Sequence, residues 1–155
     1  MSKRNSLPLS VTHEIRDNCL CLHTHRAARS LARHFDTALA SLDLTHGQFS
    51  LLVSLNRPIA PTVGAVAAVL AMDRTTLTAN LKPLERRGLV KVAVDQGDKR
   101  SRLLLLTTAG KRLFAKAVPL WRRTHSDVER RFAKPDRRAM RAGLLALSGI
   151  GNRAD

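Results

Sequence analysis

Tyrosine is absent from this chain of 155 residues, and four phenylalanines and one tryptophan are its only other large aromatics. So few stacking side chains argue against a protein that reads single-stranded RNA by stacking its bases. Cysteine is nearly as scarce. Cys19 and Cys21 are the only two, too few for a disulfide scaffold, and they are expected to be reduced thiols. Long apolar runs are missing as well. The longest, residues 63–72, is interrupted by Gly64 and is about half of the ~20 residues that span a bilayer. Residues 1–10 (MSKRNSLPLS) hold two basic side chains and no apolar stretch of signal-peptide length, so a cytoplasmic protein with no membrane partner is expected. Catalytic signatures are missing too. The sequence has no GxSxG, Walker loop, HExxH or CxxC, so neither catalytic residues nor a metal or other cofactor is predicted.

Acid is the scarcest commodity relative to its counterpart. Twelve Asp and Glu face 27 Lys and Arg, a formal charge of +15. An excess of that size concerns partners and not fold, and polyphosphate is its usual target. An anionic membrane surface is the main competitor, and Leu120 and Trp121 beside Arg122 and Arg123 are the only hint of a basic amphipathic helix for one.

Periodicity gives the organisation. Apolar residues at three- and four-residue steps (Ile15, Cys19, Leu22, then Leu31, Phe35, Leu39, Leu42) predict one long helix over residues 11–41, with more apolar surface than one small core covers. Thr45 and Gln48 have the spacing of a capping box ahead of Phe49, Leu51, Leu52, Val53 and Leu55, which predicts a second helix. Pro58 and Pro61 break the chain. Thr62 then starts a short, nearly uncharged helix to about Leu70, a packing element more than a phosphate reader. Asp73 caps a helix over residues 74–87, with Leu77, Leu81 and Leu84 inward and Gly88 at its C-terminal end. Pro83 within that helix should bend it and turn its tail away, which favours residues 74–80 over Arg86 and Arg87 as base readers. Extended segments at 89–94 and 102–107 enclose a polar turn (DQGDKRS) and predict a hairpin. A helix from Thr107 or Thr108 to about Phe132, kinked at Pro119, and a last one over residues 135–147 complete the chain.

The middle of this order is a winged helix-turn-helix. With the leucines buried, Arg74, Thr75, Thr76, Thr78, Ala79, Asn80 and Lys82 remain for base edges and phosphates in a major groove. The hairpin tip gathers Asp98, Lys99, Arg100 and Arg102, and a narrow loop carrying Arg suits a minor groove. Between residues 74 and 112 stand ten Lys or Arg and three acids, Glu85, Asp95 and Asp98. A basic face is often only a solvated face. Here it coincides with a recognition-helix pattern and a basic hairpin in the right order.

The segments LTHGQFSLLVSL, MDRTTLTANLKPLERRGLV and DQGDKRSRLLLLTTAGKRL resemble the second helix, recognition helix and wing of the MarR (multiple antibiotic resistance regulator) family, with the Asp-x-Arg of the wing at Asp98 and Arg100. The similarity covers roughly residues 11–147. It implies a mainly α fold with a small β-hairpin wing. It also implies a homodimer built from the first and last helices, a pseudo-palindromic double-stranded DNA operator, and a small-molecule effector pocket between the dimerisation helices and the DNA-binding lobe. The corresponding organisation is an N-terminal arm (1–10), one domain (11–147) and a tail (148–155). Within the domain, the winged lobe is 45–107 and the dimerisation helices are 11–42 and 108–147.

The signal sensed is left open between several chemistries. Cys19 shares a helix face with His23, and Cys21 with His25. Both cysteines suit small buried apolar positions. Cys21 also lies 24 residues before Thr45, a spacing similar to that of the reactive cysteine in OhrR-type organic-peroxide sensors of the family. Those sensors hold the thiolate with tyrosines, and here His25 and His46 stand in the matching places. A metal would require further ligands such as His34 or His46. Phe49 and Trp121 suit either a pocket for an aromatic effector or the core. Against the specific regulator stands a non-specific nucleic-acid packager, because eight more basic residues lie between Arg122 and Arg141.

Overall fold

The computed structural model describes residues 7–149, so the expected arm at 1–10 and tail at 148–155 fall largely outside the described residues. Helices α1 (Leu9–Asn18), α2 (Leu20–Leu39), α3 (His46–Leu55), α4 (Val63–Val69) and α5 (Arg74–Arg86) precede strands β1 (Val90–Val94) and β2 (Arg102–Leu106). Helices α6 (Thr108–Glu129) and α7 (Lys134–Ser148) follow, and a short 3-10 turn, Ala40–Leu42, closes α2. The mainly helical fold with one antiparallel hairpin is as expected from periodicity.

The single long first helix is not what forms. Cys19 adopts an extended backbone (φ −71°, ψ 105°) and separates α1 from α2. Its Sγ accepts a hydrogen bond from the Leu22 N–H at 3.4 Å, so it serves as the N-cap of α2. Neither Gly nor Pro marks the break, and the apolar period runs straight through it. The penultimate helix is also shorter than predicted and stops at Glu129.

Local chemistry sets the starts of α3 to α6. Thr45 and Gln48 form the reciprocal capping box, with Gln48 N–H on Thr45 Oγ1 at 3.2 Å and Thr45 N–H on Gln48 Oε1 at 3.1 Å. Thr62, Asp73 and Thr107 each accept a bond from the N–H three residues on. These bonds satisfy donors that a helix leaves without partners. Pro83 and Pro119 lie inside α5 and α6 without ending them.

The core forms where α3, α5, β1, β2 and the ends of α2 and α6 converge. Leu39, Leu51, Leu52, Leu77, Leu84 and Leu104 are completely enclosed there. The hairpin pairs Val90 with Leu106 and Val94 with Arg102. It is anchored to the turn before α4 by the Leu104 N–H on Pro61 O at 2.9 Å and a bridge between Thr62 and Leu103. Gly88, at φ 65°, supplies the left-handed turn from α5 into β1, a conformation that costs an ordinary residue about 1–2 kcal/mol.

Candidate nucleic-acid interface

The start of α5 is held by Asp73, whose carboxylate accepts both the Thr76 N–H at 2.8 Å and the Thr76 hydroxyl at 2.7 Å. These bonds hold the Asp73 carboxyl below its ordinary pKa, because they favour its charged form. Thr76 is thereby committed to the cap. Leu77, Leu81 and Leu84 are buried on the inner face. Thr75, Thr78 and Lys82 share the opposite, exposed face at helical spacing, with Arg74 exposed at its edge. Thr78 Oγ1 donates to the Arg74 carbonyl at 2.7 Å and keeps its acceptor lone pairs outward. Asn80 is less accessible. Its Nδ2 donates to Thr76 O at 3.0 Å, and a Cβ built on Gly47 would lie 3.4 Å from its Oδ1, so it sits at the approach of α3 to α5.

The wing tip is a closed loop. Asp95 and Asp98 accept from the Gly97 and Arg100 N–H groups at 2.9 and 3.0 Å, and the Ser101 N–H donates to Asp98 O at 2.8 Å. Asp98 therefore shapes the loop, while Lys99 and Arg100 are exposed on it. Arg102 turns back and donates from Nη1 to the carbonyls of Lys99 and Ser101 at 2.9 and 3.2 Å. Two further residues that periodicity did not single out hold the lobe together. Arg87 reaches across the fold to donate to the carbonyls of Leu42 and Asp43 at 3.0 and 2.5 Å, tying the end of α5 to the end of α2. At Gly110 a Cβ would fall 2.1 Å from Leu89 O, so only glycine lets α6 leave the hairpin so closely. A helix-start threonine followed by glycine (Thr107, Gly110) was the only sequence signal for it.

The sequence profile of the MarR family matches residues 44–101. The transcriptional regulator MosR of M. tuberculosis, solved in complex with DNA, is 35% identical, with a TM-score of 0.76 over 88% of this chain and 100% of that one. The chain belongs to the MarR family. The organic hydroperoxide resistance transcriptional regulator of Bacillus subtilis is 32% identical over 104 residues, 67% of this chain and 71% of that protein. MarR of E. coli, in its apo form, is 25% identical with a TM-score of 0.68, covering 83% and 96% of the two chains. MarR-family members are transcriptional regulators, and the family profile matches the chain from α3 to the wing tip, ending before β2.

Within this MarR-family chain the residues expected to sense a signal are dispersed. Cys21 and His25 are exposed on α2, and His23 Nε2 lies 3.1 Å from Asp17 O. His46 packs on Phe35 with ring centroids 5.5 Å apart, and its backbone N–H donates to Asp36 Oδ1 at 2.6 Å. No hydrogen bond or ring contact joins Cys21 to His46 among the described residues. Phe49 is buried and forms a column with Phe114, Trp121 and His125. The centroids are 5.7 Å apart for Phe49 and Phe114, 6.4 Å for Phe49 and Trp121, and 4.8 Å for Trp121 and His125. That column packs α6 on α3. Among the described residues no cluster of three His, Cys, Asp or Glu could hold a metal, and no helix is long and apolar enough to cross a membrane.

Proposed function

We propose that this protein is a cytoplasmic repressor that binds a pseudo-palindromic double-stranded operator as a homodimer. The observation that carries it is the pairing of one exposed helix face (Arg74, Thr75, Thr78, Lys82) with an exposed basic wing tip (Lys99, Arg100) on one lobe with a shared core. In this proposal α5 enters the major groove, with Thr76 and Asn80 as supports of its first turns, and Arg100 enters the adjoining minor groove. Asp98 and Arg102 shape the loop that presents Arg100. Half-sites then lie about one helical turn apart. The domain limits follow from the same proposal, with residues 45–107 as the reading lobe and residues 11–42 and 108–147 as dimerisation helices. The exposed apolar residues of α1 and α7, Leu9, Ile15, Leu144 and Leu145 among them, supply the surface that a second copy would cover.

Release would be controlled at the helical arms, by a small-molecule effector or by oxidation of Cys21. The exposure of Cys21 in the single chain and the similarity to the Bacillus regulator named for organic hydroperoxide resistance support the second route. There a hydroperoxide would take two electrons from the Cys21 thiolate, giving a sulfenic acid and the alcohol.

The test is selection of genomic fragments followed by titration. The protein should enrich a short inverted repeat, bound ~10³-fold or more above random duplex. Arg100→Ala should weaken that binding by about 1–3 kcal/mol. Equal binding to all fragments with only a steep salt dependence would replace the regulator with a non-specific packager. Unchanged affinity in the variant would remove Arg100 from the interface.

A further inference from the structure

Most of the groups on α5 that could read a base by hydrogen bonding are already engaged. Arginine and asparagine make the bidentate contacts to guanine and adenine, and both stand in the first two turns of α5. Asn80, however, gives an Nδ2 hydrogen to Thr76 O at 3.0 Å, and its Oδ1 faces Gly47 of α3. Arg74 lies back over the start of α4, where a Cβ built on Gly64 would be 3.7 Å from its Nη2. That place suits a phosphate at the groove wall more than a base at its floor. Thr76 is committed to the Asp73 cap. Arg86 stands in the last turn of α5, whereas a recognition helix meets base edges with its N-terminal residues.

What remains outward is Thr75, Thr78, Ala79 and Lys82, all exposed. Their spacing of i, i+3, i+4 and i+7 places them on one helix face. Three of these four side chains carry a methyl group. Thr78 donates its hydroxyl hydrogen to Arg74 O at 2.7 Å. In that geometry it can accept and not donate, so it gains nothing from guanine, whose major-groove edge offers two acceptors. With the hydroxyl turned onto its own helix, the Cγ2 methyl is left for contacts outside. The C5 methyl of thymine is the one methyl group that a base presents in the major groove.

We propose that Thr75, Thr78 and Ala79 form a methyl facet that reads thymine through its C5 methyl, with Thr78 as the specificity-determining residue. This rests on the DNA-binding function proposed above and names the base that α5 selects. Each half-site then carries a thymine under the first two turns of the helix. Arg74 and Lys82 flank the facet and add phosphate affinity without choosing sequence.

The test takes the inverted repeat returned by genomic selection and replaces its thymines with deoxyuridine, one symmetric pair at a time. Deoxyuridine keeps every hydrogen-bonding group of thymine and lacks only the methyl. At one pair of positions wild-type protein should lose about fourfold in affinity per half-site, or about fifteenfold for the dimer, as one unburied methyl requires. Thr78→Ser keeps the hydroxyl and lacks the methyl, and should bring the two duplexes to within about twofold. Thr78→Val keeps the methyl and lacks the hydroxyl, and should still prefer thymine. A preference that survives undiminished in the serine variant overturns the facet. Loss of the preference in the valine variant assigns the reading to the hydroxyl and overturns it equally. So does a repeat in which no thymine is sensitive to the exchange, or an equal loss at thymines outside the half-sites. Failure to enrich any repeat instead removes the DNA-binding function on which the facet rests.

Discussion

The winged lobe and the helical arms are built on opposite terms. In the lobe, Leu51, Leu52, Leu77, Leu84 and Leu104 have 0% exposure, and each helix start from α3 to α5 is capped by a side chain. Helices α1 and α7 contain no buried residue, lack a side-chain cap, and leave Leu9 at 67% and Leu145 at 73% exposure. Apolar area left in water forfeits about 25 cal/mol per Å² that burial would return. The lobe therefore completes its core within one chain. The arms have their apolar residues in helical register and nothing of their own to place against them, which is the condition of half an interface.

That contrast can be broken by experiment. Leu77→Ala should cost about 2–5 kcal/mol, read as a lower urea midpoint that is the same at every protein concentration. Leu145→Ser should leave the lobe's packing untouched and instead weaken self-association by about 1.5–3 kcal/mol if a partner buries that side chain, read by sedimentation. An arm variant that unfolds the lobe without changing assembly would erase the distinction. Gly110→Ala tests the joint between the two regions. Its Cβ would meet the Leu89 carbonyl at 2.1 Å, and separating α6 from the hairpin should cost about 1–3 kcal/mol. Wild-type stability in that variant would mean that the close approach is not maintained in solution.

The smallest effect concerns acid. The Asp73 carboxyl is held low by its bonds to Thr76, so its contribution is fully present above the ordinary carboxylate range and fades as pH falls through the lowered value. Protection of the amides at the start of α5, measured against their intrinsic exchange rate at each pH, should therefore fall at acid pH before protection in the core does. Asp73→Asn should flatten that dependence. If protection at the start of α5 keeps its acid dependence in the variant, the cap is not its source.

What was legible in the sequence was what neighbours decide. Thr45 with Gln48, Thr62, Asp73 and Thr107 announce helix starts because capping is a matter of three residues. The leucine stripe of α5 and the alternation into β1 are equally local. The break at Cys19 was invisible, since the apolar period passes through it and a thiol is an uncommon cap. Arg87 was set aside as a base reader for the bend expected at Pro83, whereas its guanidinium is engaged by carbonyls 44 and 45 residues earlier in the chain. The same applies to Arg102. Composition places it at the wing tip, and only the folded loop offers it the carbonyls of Lys99 and Ser101. Charge could be counted from the sequence. Which charges are already engaged could not, because that depends on contacts made after folding.

Trp121 has an optical consequence. It is the only indole in the chain, and it lies between Phe49 of the lobe and His125 far along α6, with the imidazole stacked at 4.8 Å and 13°. Sliding α6 relative to α3 would change the overlap of the rings and with it the surroundings of the indole. Intrinsic fluorescence excited in the indole band thus reads the junction between lobe and arms directly, with no label attached and no second tryptophan to dilute the signal.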